Sequence, residues 1–146
     1  MSSNHLQSDS VEKQFFGVQP LHQPDDFRIA NQALGKTRIG ELHNWRRMLD
    51  ASGILSFGSD WPIAQPDPIA AMAVAIECGL TEQEALVAST TDAAKSLREA
   101  DAGRLCLGSY GDIAILDRDP LVCDWKETTP SVTMTIQAGK IVYTKE

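Results

Sequence analysis

Apolar positions change period along this chain, and the change divides it. From Thr37 to about Asp50, Ile39, Leu42, Trp45 and Leu49 recur at helical spacing with Arg38, Glu41, Arg46 and Arg47 between them, which predicts one amphipathic helix. Ile54, Leu55 and Phe57 then form a short apolar run that stops on Gly58-Ser59, as a buried parallel strand does. Ile69, Met72, Ala73 and Ile76 restore the helical stripe until Gly79 ends it. Thr81-Glu-Gln-Glu84 has the form of a capping box, so another helix is expected through Ala85, Leu86 and Ala88. Thr90-Thr91-Asp92 predicts a second N-cap, with a short helix through Ala93, Ala94 and Leu97.

After Gly103 the period becomes two. Ile113 to Leu116 suit a short buried strand, and Val132, Met134 and Ile136 alternate with Thr133, Thr135 and Gln137. The run Lys140 to Thr144 follows across Ala138-Gly139, which predicts a β-hairpin. Residues 1–35 have weak periodicity and many turn residues, among them Gly17, Pro20 and Pro24-Asp25-Asp26; a short helix, a brief strand at Phe16 to Val18 and a long loop are expected. The order is therefore βα units to about residue 100, then a small all-β tail, without repeats or low-complexity segments. One or two βα units cannot close a parallel sheet, and a three-strand tail needs something against its apolar face. Each half reads as part of a larger assembly.

The chain has 146 residues, 42% hydrophobic and 23% charged, within the range of a folded globular domain. A formal charge of −7 with 13 scattered Lys and Arg argues against nucleic acid or an anionic membrane as partner. No apolar run approaches the ~20 residues of a membrane span, and the N-terminus has neither a basic n-region nor an apolar h-region, so the cytoplasm is the expected compartment. Cys78, Cys106 and Cys123 are odd in number and widely spaced, which suits neither a disulfide framework nor a metal knuckle. They are expected to be reduced, with Cys78 and Cys106 as small packing residues.

The candidate chemistry centres on Asp60, delivered where the 54–57 run ends. Residues just past the C-terminal end of a parallel barrel strand face the reaction site; an Asp that merely opens a turn is the bland alternative. Pro62, Pro66 and Pro68 stiffen the loop before the next helix. No GxSxG nucleophile motif or phosphate-cradling glycine loop is present to support a compact independent α/β enzyme that would use Asp60 with His22.

An ordered series of pieces gives the chain a family likeness from about Gln19 to Tyr143. It runs Val18-Gln-Pro-Leu-His22, Gly35-Lys-Thr-Arg38, Trp45-Arg46, Phe57-Gly-Ser-Asp-Trp-Pro62 and Asp67-Pro68. Thr90 with Ala93-Ala94, Gly103-Arg-Leu-Cys-Leu-Gly108, Gly111-Asp-Ile-Ala-Ile-Leu-Asp117, Asp119-Pro120 and Gly139-Lys-Ile-Val-Tyr143 complete it. The chain resembles the C-terminal portion of the metal-dependent amidohydrolases, specifically amidohydrolase family 3. That resemblance implies an α/β fold, with residues 1–102 as the last βα units of an incomplete (β/α)8 barrel. Residues 103–146 would then be the C-terminal part of a composite β-sandwich. A whole barrel takes ~250 residues, and the family's early His-x-His type ligands have no counterpart among His5, His22 and His43.

The resemblance also implies roles. Asp60 would be the metal-site aspartate that takes a proton from metal-bound water and returns it to the leaving nitrogen. Asn4-His5-Leu6-Gln7 resembles a strand end that supplies a metal histidine, so His5 is a candidate ligand, with an unordered chain start as the alternative. Trp61 would flank the substrate, unless it is a buried structural residue. His22 could touch substrate or be an exposed loop histidine, and His43 is expected on the solvated face of its helix. The implied cofactor is a divalent metal, zinc in the family, which this chain by itself need not bind. The implied substrate is a small amide-type molecule. A complementing N-terminal polypeptide or self-association would finish the fold, and the isolated chain should be inactive. A noncatalytic α/β interaction module is the alternative from another class.

Overall fold

The computed structural model describes residues 13–146. Two short strands, β1 (Phe15–Val18) and β2 (Ile54–Phe57), pair in parallel with Phe15 opposite Ile54 and Val18 opposite Phe57. The ladder continues at both ends through Ile54 N–H to the Gln14 carbonyl (2.9 Å) and Gly58 N–H to the Val18 carbonyl (2.9 Å). Between the strands run a 3-10 turn at Pro20–His22 and three helices, α1 (Gln23–Ala33), α2 (Gly35–Ile39) and α3 (Trp45–Asp50).

Two expectations fail in this connection. The long loop is instead the eleven-residue α1. Pro24 in its first turn, with Asp25 and Asp26 beside the positive end of the helix dipole, favours the start. None of its residues is buried, so no strong apolar stripe marks it. The single helix over 37–50 is two helices broken at 40–44. His43 takes a left-handed backbone (φ 54°), and the Asn44 side chain then caps α3 by accepting from Arg47 N–H at 3.2 Å.

After β2 come α4 (Pro68–Glu77), α5 (Glu82–Ser89) and α6 (Thr91–Ser96). Asp67 caps α4 through the Ala70 N–H (3.0 Å). Gly79 (φ 95°) closes it: the Leu80 N–H reaches the Ala75 carbonyl and the Gly79 N–H reaches that of Ile76, a Schellman motif. Both halves of the Thr81/Glu84 capping box are made. Thr90 does precede α6, but its hydroxyl donates back to the Leu86 carbonyl (2.7 Å) and caps nothing.

The core packs β2 against α3, α5 and α6, with α4 laid on α5 and on the 3-10 turn. Trp45, Leu55, Met72, Ala75, Leu80, Ala85 and Ala88 are buried there, joined by Val18 of β1. Trp125 from the tail completes the cluster, and its indole N–H donates to the Pro120 carbonyl at 2.9 Å. Within α4, Ala71, Met72 and Ala75 are buried and Ile69, Ala73, Val74 and Ile76 are partly buried against the core, so this helix is apolar on nearly every side.

The tail is an antiparallel sheet of β3 (Ile113–Leu116), β4 (Val132–Gln137) and β5 (Lys140–Thr144) in that order. Asp117 pins its start: Arg118, the Ser131 N–H (2.9 Å) and Lys145 hold its carboxyl down to about 2, the Arg118 guanidinium contributing most. The expected burial of β3 is not observed. Ile115 is exposed, as are Ile141, Val142 and Tyr143 of β5, because nothing among the described residues covers that part of the sheet. Cys106 is also exposed, with its thiol 3.0 Å from the Ser109 hydroxyl, and is no packing residue. Cys78 and Cys123 do pack against the core, and burial raises the Cys78 thiol above its ordinary value.

Candidate functional site

Because β1 and β2 are parallel, the segments that leave their C-terminal ends emerge on one side of the pair. From β1 this is Gln19 and the turn carrying His22; from β2 it is Gly58-Ser59-Asp60-Trp61. Asp60 itself adopts a left-handed backbone (φ 55°), and its carbonyl accepts from Ile63 N–H at 2.8 Å, closing a turn that leaves the carboxylate exposed. Asp tolerates that conformation better than most residues, so the turn displays the acid at low cost. The Trp61-Pro62 bond is cis. Trp61 is 61% exposed, which excludes a buried structural role for it among the described residues.

His22 is half-buried rather than an exposed loop residue, since the 3-10 turn packs against α4. Its Nε2 is shielded from solvent and has no hydrogen-bond partner among the described residues. His43, expected on a solvated face, instead lies in an interface. Its Nε2 is 2.9 Å from Asp26 Oδ2, its ring stacks on Phe27, and its edge meets Trp45 at 5.3 Å between centroids. The break in the 37–50 helix produces this: the left-handed turn at His43 swings the ring toward α1. Trp45 then reaches Phe57 of β2 at 6.4 Å, so aromatic packing links α1 to the strand that carries Asp60. His5 lies outside the described residues.

A hydrolytic metal needs three or four ligands in one place. Among the described residues no group of three or more His, Cys, Asp or Glu is placed to hold one. Asp60 can supply a single carboxylate, and the described residues do not form a metal centre around it.

One functional candidate escaped the sequence pattern. A cavity of about 200 Å³ opens beside Gly58 and Ser59, and its lining includes Leu21, Ala71 and Ser89. Ser89 had a readable signal: it lies four residues after the buried Ala85 on α5, so a polar group falls on the buried stripe.

Together these features describe an α/β protein in which a parallel strand presents an acid at its C-terminal end, with a separate antiparallel tail. The amidohydrolase family profile matches residues 13–143, and the chain belongs to that family, in its family 3 branch. Among curated relatives it is 28% identical to Protein LONG AFTER FAR-RED 3 of Arabidopsis thaliana, over 86% of this chain and 24% of that protein. It is 34% identical to imidazolonepropionase of Mycolicibacterium smegmatis, over 69% of this chain and 27% of the enzyme. The chain thus spans about a quarter of the length of these relatives. Among solved structures, a metal-dependent hydrolase from Pyrococcus horikoshii superposes with a TM-score of 0.65 at 26% identity, covering 75% of this chain and 25% of that one. The fold is accordingly the α/β fold of amidohydrolase structures, and the family likeness supports a hydrolase-type segment with a divalent metal in the family. No described helix is long and apolar enough to cross a membrane.

Proposed function

We propose that this chain is the C-terminal segment of a metal-dependent hydrolase that cleaves carbon–nitrogen bonds other than peptide bonds, with Asp60 at its reaction centre. The observation that carries this is the placement of an exposed carboxylate immediately past a parallel strand, within a family match that covers nearly the whole described chain. A carboxylate there can take a proton from an attacking water and return it to the leaving nitrogen of a small amide-type substrate. Trp61 and His22 stand near the same end of the strand pair and are assigned to the substrate side. His5 is kept as a candidate ligand.

Residues up to about 102 are assigned to the last βα units of an incomplete barrel, and those from 103 to the C-terminal part of a composite sandwich. The parallel pair, open on both edges among the described residues, supports the first assignment. The exposed apolar residues of β3 and β5 support the second. Further strands and the missing metal ligands would come from another part of the hydrolase, by a complementing polypeptide or by self-association. Without them the 146-residue chain should not catalyse, because one carboxylate cannot hold zinc in a hydrolytic site.

The test combines size-exclusion chromatography and light scattering with a calorimetric zinc titration of wild type and Asp60→Asn. The expected outcome is self-association of the folded chain, with no stoichiometric zinc in either protein. A monodisperse monomer that binds one zinc through Asp60 would overturn the incomplete-barrel proposal and make the site self-sufficient. A sharply melting monomer that binds no zinc would favour a noncatalytic interaction module.

A further inference from the structure

Between Pro20 and Trp45 the chain leaves the core. Those two residues are each under 2% exposed, yet among the described residues none from 21 to 44 is buried. Two helices lie in this excursion, and α1 packs chiefly on its chain neighbours, the 3-10 turn and α2. A helix without a buried side chain draws little stability from tertiary packing. The backbone at both ends of α2 is unpacked as well, since a Cβ added at Gly35 or Gly40 would meet nothing within 4 Å. Segments of this kind open at a small fraction of the free energy that unfolds a core.

One sheltered contact ties the excursion down. His43 belongs to the fixed side: its carbonyl accepts from Trp45 N–H at 2.8 Å, and its ring meets the Trp45 ring edge-on at 5.3 Å. From α1, Asp26 Oδ2 lies 2.9 Å from His43 Nε2, and Phe27 stacks on the imidazole at 6.2 Å with the planes 20° apart. The His43 side chain is only 16% exposed, so this contact is partly removed from water. Among the described residues, the other side-chain hydrogen bond from 23–42 to the rest of the chain joins Glu41 to Arg47 at 2.8 Å. Both of those side chains are largely exposed, and a pair so placed contributes little.

The excursion is rooted on the 3-10 turn that follows β1, at the end of the strand pair where β2 presents Asp60. Lids at reaction centres are drawn from weakly held segments, because they must move while the scaffold stays folded.

We infer that residues 23–42 form a flap at the Asp60 end of the molecule, latched by Asp26 and Phe27 on His43, which opens while the core stays folded. A gating role for the flap rests on Asp60 as the reaction centre, whereas the latch and its opening do not. Hydrogen exchange of the full 146-residue chain at neutral pH, followed by mass spectrometry on peptides from α1 and α5, is the test. In the wild type, α1 amides should exchange at least about tenfold faster than those of α5, and at least about tenfold slower than in an unfolded chain. His43→Asn removes the ring but keeps a residue that tolerates the left-handed backbone, and should speed α1 roughly fivefold to tenfold while α5 is unchanged. Asp25 and Asp26 both stand in the first turn of α1, so Asp25→Asn removes the same helix-end charge without touching the latch. It should speed α1 less than Asp26→Asn does. Equal exchange of α1 and α5, α1 exchange at the unfolded rate, or an unchanged α1 in His43→Asn overturns the flap. Should His43→Asn lose its cooperative melt, the two aspartate variants decide, and equal effects from them overturn the latch. Asp60→Asn should leave α1 exchange as in the wild type, so a failure of the zinc experiment and a failure of this one are separately visible.

Discussion

Glu84 does two jobs with one carboxylate, and removing it should cost more than either job alone. Its Oε2 accepts from Thr81 N–H at 2.8 Å to complete the capping box of α5, while its Oε1 accepts from the Arg46 guanidinium of α3 at 2.5 Å. Losing the reciprocal half of the cap costs about 0.5–1 kcal/mol. The ion pair is partly exposed, with side-chain accessibilities of 39% for Arg46 and 32% for Glu84. Solvent screening therefore limits it to about 1 kcal/mol. Arg46 would keep only Asp50, 3.8 Å away, and its Nε already lacks a hydrogen-bond partner among the described residues. Glu84→Ala should thus destabilise by about 1.5–2 kcal/mol, which for a chain of this size lowers Tm by roughly 3–8 °C.

The same residue predicts a pH dependence. Burial pushes the Glu84 carboxyl up, but the hydrogen bonds from Arg46 and Thr81 together outweigh it and leave the group below its ordinary value of 4.5. A carboxyl held down on folding stabilises fully above its unfolded value and loses that contribution as pH falls through the folded one. The gap in stability between wild type and Glu84→Ala should therefore be largest near neutrality and shrink as pH falls below 4.5. Urea melts of both proteins at pH 7 and at lower pH, with Gln83→Ala as an exposed control on the same helix, measure it. A loss under about 0.5 kcal/mol at pH 7, no larger than an ordinary surface change, would refute the double role. So would a gap that does not shrink in acid.

Two backbone predictions follow from the same half of the chain. Gly103 has φ 71°, and a Cβ there would collide with the Thr90 carbonyl and crowd Ala94 Cβ, so Gly103→Ala should destabilise by about 2 kcal/mol or more in a thermal melt. A cost below 1 kcal/mol would mean that the α6 to tail junction yields easily. Arg98 occupies the left-handed closing position of α6 (φ 62°), with Glu99 N–H bonded to the Ala94 carbonyl and its own N–H to that of Lys95, both at 3.0 Å. That Schellman geometry suits glycine, so Arg98→Gly should raise stability by up to about 1 kcal/mol. A clear loss would show that the Arg98 side chain stabilises the fold.

How far the fold was legible depended on how local each signal was. The capping box at Thr81, the Gly79 stop and the strand at 54–57 were readable because their donors, acceptors or apolar residues lie within a few positions of each other. The helix α1 was not, since its residues bury little and leave no apolar stripe to find. The break at His43 was hidden because Ile39, Leu42, Trp45 and Leu49 keep helical spacing straight across it; the left-handed residue is stabilised by Asp26 and Phe27, which belong to another helix. Asp60 was legible as a candidate from its place after a strand. The shielded state of His22 and the unpaired hydroxyl of Ser89 could be seen only once α4 and α5 were packed.

The sequence by itself determined where α4 stops and α5 starts, that residues 132–137 alternate, and that an aspartate follows the second strand. These depend on backbone hydrogen bonds and side-chain spacing that each segment satisfies alone. Tertiary structure alone decided which residues of β1 stand opposite which of β2, that Trp125 returns from the tail to close the core, and that a cavity forms beside Gly58 and Ser59. Burial joins residues far apart in the chain, and no local pattern records which distant surface will cover them.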